Sequence, residues 1–184
     1  MTLVKITPEE YNTELYIAYA TEDNFTERKL YKNGHCYLHE AAAKAFETAV
    51  SLASAIGYKF KIFDAFRPLE VQQMLWDDNP DPEFISDPVN GKTPHCRGIA
   101  LDLTLIDQNS NELDMGTGFD AFTPLSHHGK TEISDAAQKN RYILLSIMKL
   151  AGFDHNPREW WHYQLPNWQD YKKYTDSDAG TKML

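Results

Sequence analysis

His95-Cys96-Arg97-Gly98-Ile99-Ala100-Leu101-Asp102 is the stretch on which the reading of this chain turns. Residues Ile99 to Ile106 form a β-branched and aliphatic run that predicts a strand. Ile99, Leu101, Leu103 and Leu105 would share one face of it, and Ala100, Asp102 and Thr104 the other. A carboxylate in the middle of such a strand is costly unless something compensates it. Its same-face neighbours, Ala100 and Thr104, are small and leave room beside it. Gly98 permits a tight turn that folds His95 back toward Asp102. Imidazole with carboxylate is an ordinary ligand set for zinc. On these residues alone, a histidine–aspartate hydrogen bond that ties a loop to a strand accounts for the pattern equally well.

Working outward, the segment upstream of His95, from Asp77 to Pro94, holds Pro80, Pro82, Pro88, Pro94 and Gly91 and reads as one long loop. Loops of that length tend to be functional or disordered. Before it, Leu38 to Ile56 carries apolar residues at helical spacing and stops at Gly57. Lys59 to Phe63 reads as a strand, and Pro68 suits the first turn of a second helix bearing Val71, Met74 and Leu75. Residues 1–36 read as irregular. Downstream, Asn109 to Pro124 is a second long connection, Asp135 to Leu150 a third helix, and Trp160 to Leu165 a short aromatic strand. Helices and strands mix without βαβ alternation, so the predicted class is α+β. A single domain over residues 1–184 is expected, with a lightly packed polar tail from about residue 167.

Composition narrows the function classes. The chain has 184 residues, 42% of them hydrophobic and 24% charged, which is the range of folded soluble domains. Its formal charge of −9 is offset by no cluster of lysines and arginines, so nucleic-acid binding is not expected. Cys36 and Cys96 allow one disulfide at most and are read as reduced thiols. The N-terminus has no apolar core of a leader, and no later run is long enough to span a membrane. A cytoplasmic protein is expected, periplasmic only if a leader has been removed.

Two further stretches carry chemistry. In Glu159-Trp160-Trp161-His162-Tyr163, an acid and a histidine sit within an aromatic band. His162 would add a third metal ligand and Glu159 would act as general base toward a water. Strict strand alternation points these two side chains to opposite faces, so Glu159 is expected on the bend before the strand, near Pro157 and Arg158. The tryptophans read as core that also keeps one side of the site dry. In Phe63-Asp64-Ala65-Phe66-Arg67-Pro68, Arg67 stands at a strand–helix junction, where it would stabilise developing oxyanion charge or simply pair with Asp64. His35, His39, His127, His128 and His155 read as exposed or locally bonded. A cysteine peptidase built on Cys96 leaves Asp102 and Glu159 without a role.

At these residues the chain resembles the D-alanyl-D-alanine dipeptidases, a branch of the zinc D-Ala-D-Ala peptidases. The resemblance rests on His-x-x-Gly-x-x-x-Asp (His95, Gly98, Asp102) and Glu-x-x-His (Glu159, His162). Asp64 to Pro68, Tyr19 to Thr26 and Met115 to Asp120 match further segments of the dipeptidase branch. It implies a small, mainly antiparallel sheet packed against helices, and one zinc ion held by His95, Asp102 and His162. It also implies Glu159 as base and proton donor, Arg67 opposite the tetrahedral intermediate, and Asp120 with Tyr19 at the substrate ammonium. A hydroxyl at Thr93, where the family usually has serine, would help hold the substrate carboxylate, and Cys96 replaces a common serine. The implied substrate is a free D,D-dipeptide, with no nucleic-acid or membrane partner; oligomeric state stays open. A carboxypeptidase or endopeptidase acting on peptidoglycan stems is the nearest rival, and a non-catalytic protein with structural zinc the next.

Overall fold

The computed structural model describes residues 3–184; Met1 and Thr2, within the segment expected to be irregular, lie outside the described residues. In chain order the elements are β1 (Leu3–Ile6), α1 (Pro8–Tyr11), β2 (Glu14–Leu15), β3 (Cys36–His39), α2 (Glu40–Ala55), β4 (Lys59–Asp64) and α3 (Leu69–Asp78). They continue with β5 (Ala100–Ile106), α4 (Asp135–Leu150), β6 (Asp154–Asn156), β7 (Glu159–Gln164) and α5 (Asp176–Ala179).

The aliphatic run around Asp102 becomes β5, the central strand of a five-stranded sheet ordered β2-β4-β5-β7-β6. Among the described residues only β2 and β4 pair in parallel; the other pairs are antiparallel. The fold is α+β, with helices laid on a small, mainly antiparallel sheet. Helix α2 packs against β4, and α4 against β5 and β7. Apolar residues of α2 at helical spacing (Ala42, Phe46, Ala49, Ala53) are fully buried, as are Leu144 and Met148 of α4. Leu101, Leu103 and Leu105 of β5 join the same core. Helix α2 starts where the His39 imidazole accepts from the Ala41 amide at 3.1 Å and ends before Gly57, at φ +85°. Helix α4 is capped by Ser134, whose hydroxyl accepts from the Ala137 amide at 3.0 Å.

The structure departs from expectation at both ends. Residues 3–36 are not irregular throughout: β1 pairs with β3 in a separate two-stranded sheet. Leu38, which fits the helical spacing of α2, belongs to β3 instead, opposite Val4. The tail from residue 167 is tied in rather than lightly packed. Met183 is 1% exposed, its carbonyl accepts from Lys32, and Asp176 collects the backbone amides of Met183 and Leu184.

Two irregularities of the sheet position side chains around Asp102. In β4, Ile62 stands opposite Leu103 but Asp64 opposite Asp102, so Phe63 is an extra residue and Asp64 is brought beside Asp102. In β7, Tyr163 pairs with His155 but Glu159 with Asn156, so Trp160, Trp161 and His162 have no counterpart on β6. His162 pairs instead with Asp102 of β5.

Gly98 closes the turn before β5 at φ +67°, and its carbonyl accepts from the His39 amide at 2.7 Å. A Cβ there would lie 2.9 Å from Leu3 Cδ2 and 3.0 Å from the His39 nitrogen, whereas one at Gly57 would meet nothing within 4 Å. Both positions carry the left-handed penalty of about 1–2 kcal/mol for an L-residue. Gly98→Ala is therefore expected to destabilise the protein more than Gly57→Ala in urea unfolding. Equal losses would show that close packing at Gly98 contributes nothing.

Candidate active site

His95 stands on a 3-10 turn, His95–Arg97, directly before β5. Asp102 lies within β5 and His162 opposite it on β7. The three offer donor atoms that converge. His162 Nδ1 is 2.9 Å from Asp102 Oδ1, and His95 Nε2 is 3.2 Å from Asp102 Oδ2 and 3.1 Å from His162 Nδ1. All three are buried.

The remaining ring nitrogens settle which atoms can ligate. His95 Nδ1 is 2.7 Å from the Ala65 carbonyl, and His162 Nε2 is 3.1 Å from the Gln164 side-chain oxygen. Each of these oxygens only accepts, so each facing nitrogen carries the hydrogen. That leaves lone pairs on His95 Nε2 and His162 Nδ1, aimed at one another and at Asp102. Two neutral imidazole lone pairs this close suit a shared cation, and outer hydrogen bonds of this kind commonly orient metal-ligating histidines. Donors at ~2.1 Å from a tetrahedral metal are about 3.4 Å apart, close to the spacing here. His95, Asp102 and His162 form a single candidate metal site.

Electrostatics agree. Burial works to raise Asp102, but positive charge at the inward nitrogens of His95 and His162, which a shared cation supplies, holds its carboxyl well below the usual carboxylate range. Burial opposes charge on His162, yet the hydrogen bond and charge of Asp102 raise it overall. Glu159 is buried at the start of β7, with Oε2 3.9 Å from His162 Nδ1 and accepting from Asn156 Nδ2 at 2.9 Å. Burial pushes its carboxyl up to about 7, against the pull of the nearby His162. Glu159 is the first residue of the strand, directly after the Pro157-Arg158 turn rather than on it. The three residues unmatched on β6 break the alternation that would have sent Glu159 and His162 to opposite faces.

Arg67 is also buried. Its Nε donates to Asp64 Oδ2 at 2.8 Å, and its Nη2 lies 3.7 Å from Asp102 Oδ2. The guanidinium thus pairs with Asp64 and faces Asp102 at once. Tyr19 donates its hydroxyl to Asp120 Oδ2 at 2.7 Å. Burial pushes Asp120 well above the carboxylate range despite that bond, and its backbone sits at φ 54°. Thr93 is 1% exposed, and its hydroxyl is buried with no hydrogen-bond partner among the described residues.

One cavity of about 480 Å³ is lined by all eight residues singled out from sequence. Its walls come from the loop between α3 and β5, including Phe84 and Ser86, and from Phe122 beyond Asp120. Phe25, Phe84 and Phe122 meet there, with ring centroids 5.0 Å apart in the Phe25–Phe122 and Phe84–Phe122 pairs. Cys96 is buried and free, with burial pushing its thiol up to about 12, so it is no nucleophile at neutral pH.

Comparison with known proteins agrees with this geometry. The model of the D-ala-D-ala dipeptidase family matches residues 4–178. The chain belongs to that family. It is 40% identical over 163 residues to the D-alanyl-D-alanine dipeptidase of Escherichia coli, covering 89% of this chain and 84% of that one. The corresponding enzymes of Enterococcus faecalis and Enterococcus faecium are 32% and 35% identical over 167 residues, covering 80% of this chain and 83% of theirs. As a member of this family, the chain is a metallopeptidase.

Four residues of the site were not singled out from sequence. Gln164 is two residues past His162 on one strand face, a spacing that could have been read. Asn156 faces Glu159 across the Pro157-Arg158 turn. Tyr31 reaches Asp64 from an irregular segment, and Gln72 reaches Arg67 from the first turn of α3; neither stands out from its neighbours in sequence. Gln164→Ala, which removes the acceptor that orients His162, should lower metal affinity about 10–100-fold. Competition with a chromophoric chelator measures this; unchanged affinity would remove Gln164 from the site.

Proposed function

We propose that the chain hydrolyses the free dipeptide D-Ala-D-Ala to two D-alanines, with zinc as its metal. The observation that carries this reading is one cavity holding both a three-ligand metal site and a second, half-buried acid, Asp120, bonded to Tyr19. Zinc held by His95, Asp102 and His162 would supply Lewis-acid polarisation of the scissile carbonyl and acidify water.

The chain's own residues do the rest. Glu159, beside the metal ligands, takes the proton from the attacking water and passes it to the leaving amine. Burial that raises its affinity for a proton suits it to both halves of that exchange. Arg67, anchored by Asp64, presents its remaining N–H groups to charge that develops on the carbonyl oxygen. Trp161 and Phe84 line the cavity and limit water around the reacting groups.

At one end, the Asp120 carboxylate and the Tyr19 hydroxyl receive the substrate ammonium. A desolvated carboxylate that resists ionisation gains most from a cationic ligand. The unpartnered hydroxyl of Thr93 offers a bond to the substrate carboxylate. Paired charges supply the selectivity that two methyl side chains cannot, because an analogue without a charge leaves a buried partner unpaired.

Free D-Ala-D-Ala and its N-acetyl derivative separate this reading from that of a peptidase acting on longer stems. The free dipeptide is expected to be cleaved with kcat/KM on the order of 10⁴-fold higher, the scale on which sites built around a substrate N–H reject analogues. Equal or faster cleavage of the acetylated peptide would overturn the assignment.

A further inference from the structure

The anchoring of Arg67 is incomplete without a residue that no motif marks. Its Nε and Nη2 both reach Asp64, each at 2.8 Å, but both end on the same oxygen, Oδ2. The other oxygen, Oδ1, is taken by the Tyr31 hydroxyl at 3.0 Å. Two bonds that converge on one atom leave the guanidinium free to rock about that atom in its own plane. A bidentate pair on two oxygens would forbid such rocking. Tyr19, with its ring 5.1 Å from Arg67 Cζ, covers one face and does not restrain motion within the plane.

Gln72 supplies the missing restraint. It lies on α3, is 2% exposed, and accepts from Arg67 Nη1 at 3.0 Å, on the nitrogen that makes no bond to Asp64. Its own amide is held by a second bond, from Nε2 to the Ser86 carbonyl at 2.7 Å. Turning the amide over would set NH₂ against an N–H and oxygen against a carbonyl, so the two partners together allow one orientation. Ser86 belongs to the loop between α3 and β5 that walls the cavity.

We propose that Gln72 is a positioning residue: it fixes the in-plane aim of Arg67 at the reacting carbonyl and makes that aim depend on the placement of the cavity loop at Ser86. This rests on the reading of Arg67 as the group that meets the oxyanion. The position of a donor matters most where charge develops, so a loose Arg67 costs the transition state more than the bound substrate.

The test compares the zinc-loaded wild-type enzyme with Gln72→Met, using free D-Ala-D-Ala and a phosphinate analogue of it that is tetrahedral at the reacting centre. In Gln72→Met, kcat is expected to fall about tenfold, the scale of one hydrogen bond to a charged group, with KM changed by less than about twofold. Calorimetric affinity for the phosphinate falls in parallel, and zinc content does not change. In an Arg67→Ala background the same substitution costs nothing further, because its effect runs through Arg67. Gln72→Glu keeps an acceptor toward Arg67 but sets its other oxygen against the Ser86 carbonyl, so it recovers only part of the lost kcat; full recovery overturns the dependence on the cavity loop. Gln72→Asn, one methylene short of Arg67 but still polar, repeats the loss and serves if the methionine variant does not fold. Wild-type kcat and phosphinate affinity in Gln72→Met or Gln72→Asn overturn the proposal, as does an undiminished loss without Arg67. Failure of the wild type to cleave D-Ala-D-Ala removes the parent reading instead.

Discussion

The site depends on one costly placement: the carboxylate of Asp102 within a strand whose residues are all buried. Alone there it would be driven to protonate. A cation shared with two imidazoles prevents this, and each imidazole is itself held by an acceptor, His95 by the Ala65 carbonyl and His162 by Gln164. The surrounding fold serves that arrangement. Gly98 turns the chain tightly enough for His95 to reach the strand it precedes, and the β5–β7 register sets His162 opposite Asp102. The extra residue Phe63 in β4 brings Asp64, and with it Arg67, to the same place.

Around this centre the cavity gathers acids. Asp102, Glu159 and Asp120 line it, Asp64 lies just behind, and Arg67 is the buried cation among them. Burial raises Asp64, Asp120 and Glu159, while Asp102 is held low by positive charge at the inward nitrogens of its histidines. Such a field favours a divalent metal at one point and an ammonium at another. The formal charge of −9 over the whole chain says nothing of this, because the effect arises from a few desolvated groups.

Much of the site was legible because its residues break local rules. An aspartate in an aliphatic run and a glutamate and histidine in an aromatic band are conspicuous against their neighbours. Helices α2 and α4 were legible from spacing and their glycine stops, α4 to the residue. What escaped was set by partners distant in sequence. Leu38 keeps helical spacing with Ala41 and Ala42, yet pairing with Val4 makes it strand. The tail looks polar, yet Met183 enters the core because Asp176 binds its amide. Glu159 was placed on a bend because alternation allows no other answer. The interruption of pairing that resolves the conflict involves β6, and nothing in Glu159–His162 itself announces it.

The central claim is that His95, Asp102 and His162 hold the metal while Glu159 stands beside it as base. Glu159→Gln keeps the size of the side chain and its contact with Asn156 while removing the basic oxygen. Zinc content and single-turnover hydrolysis of D-Ala-D-Ala, measured on the same preparation of this variant, test the claim most directly. The account predicts zinc bound as in the wild type, with the rate lower by on the order of 10²–10⁴, the range supplied by a positioned general base. A variant that loses its zinc, or that keeps both zinc and the wild-type rate, would contradict it.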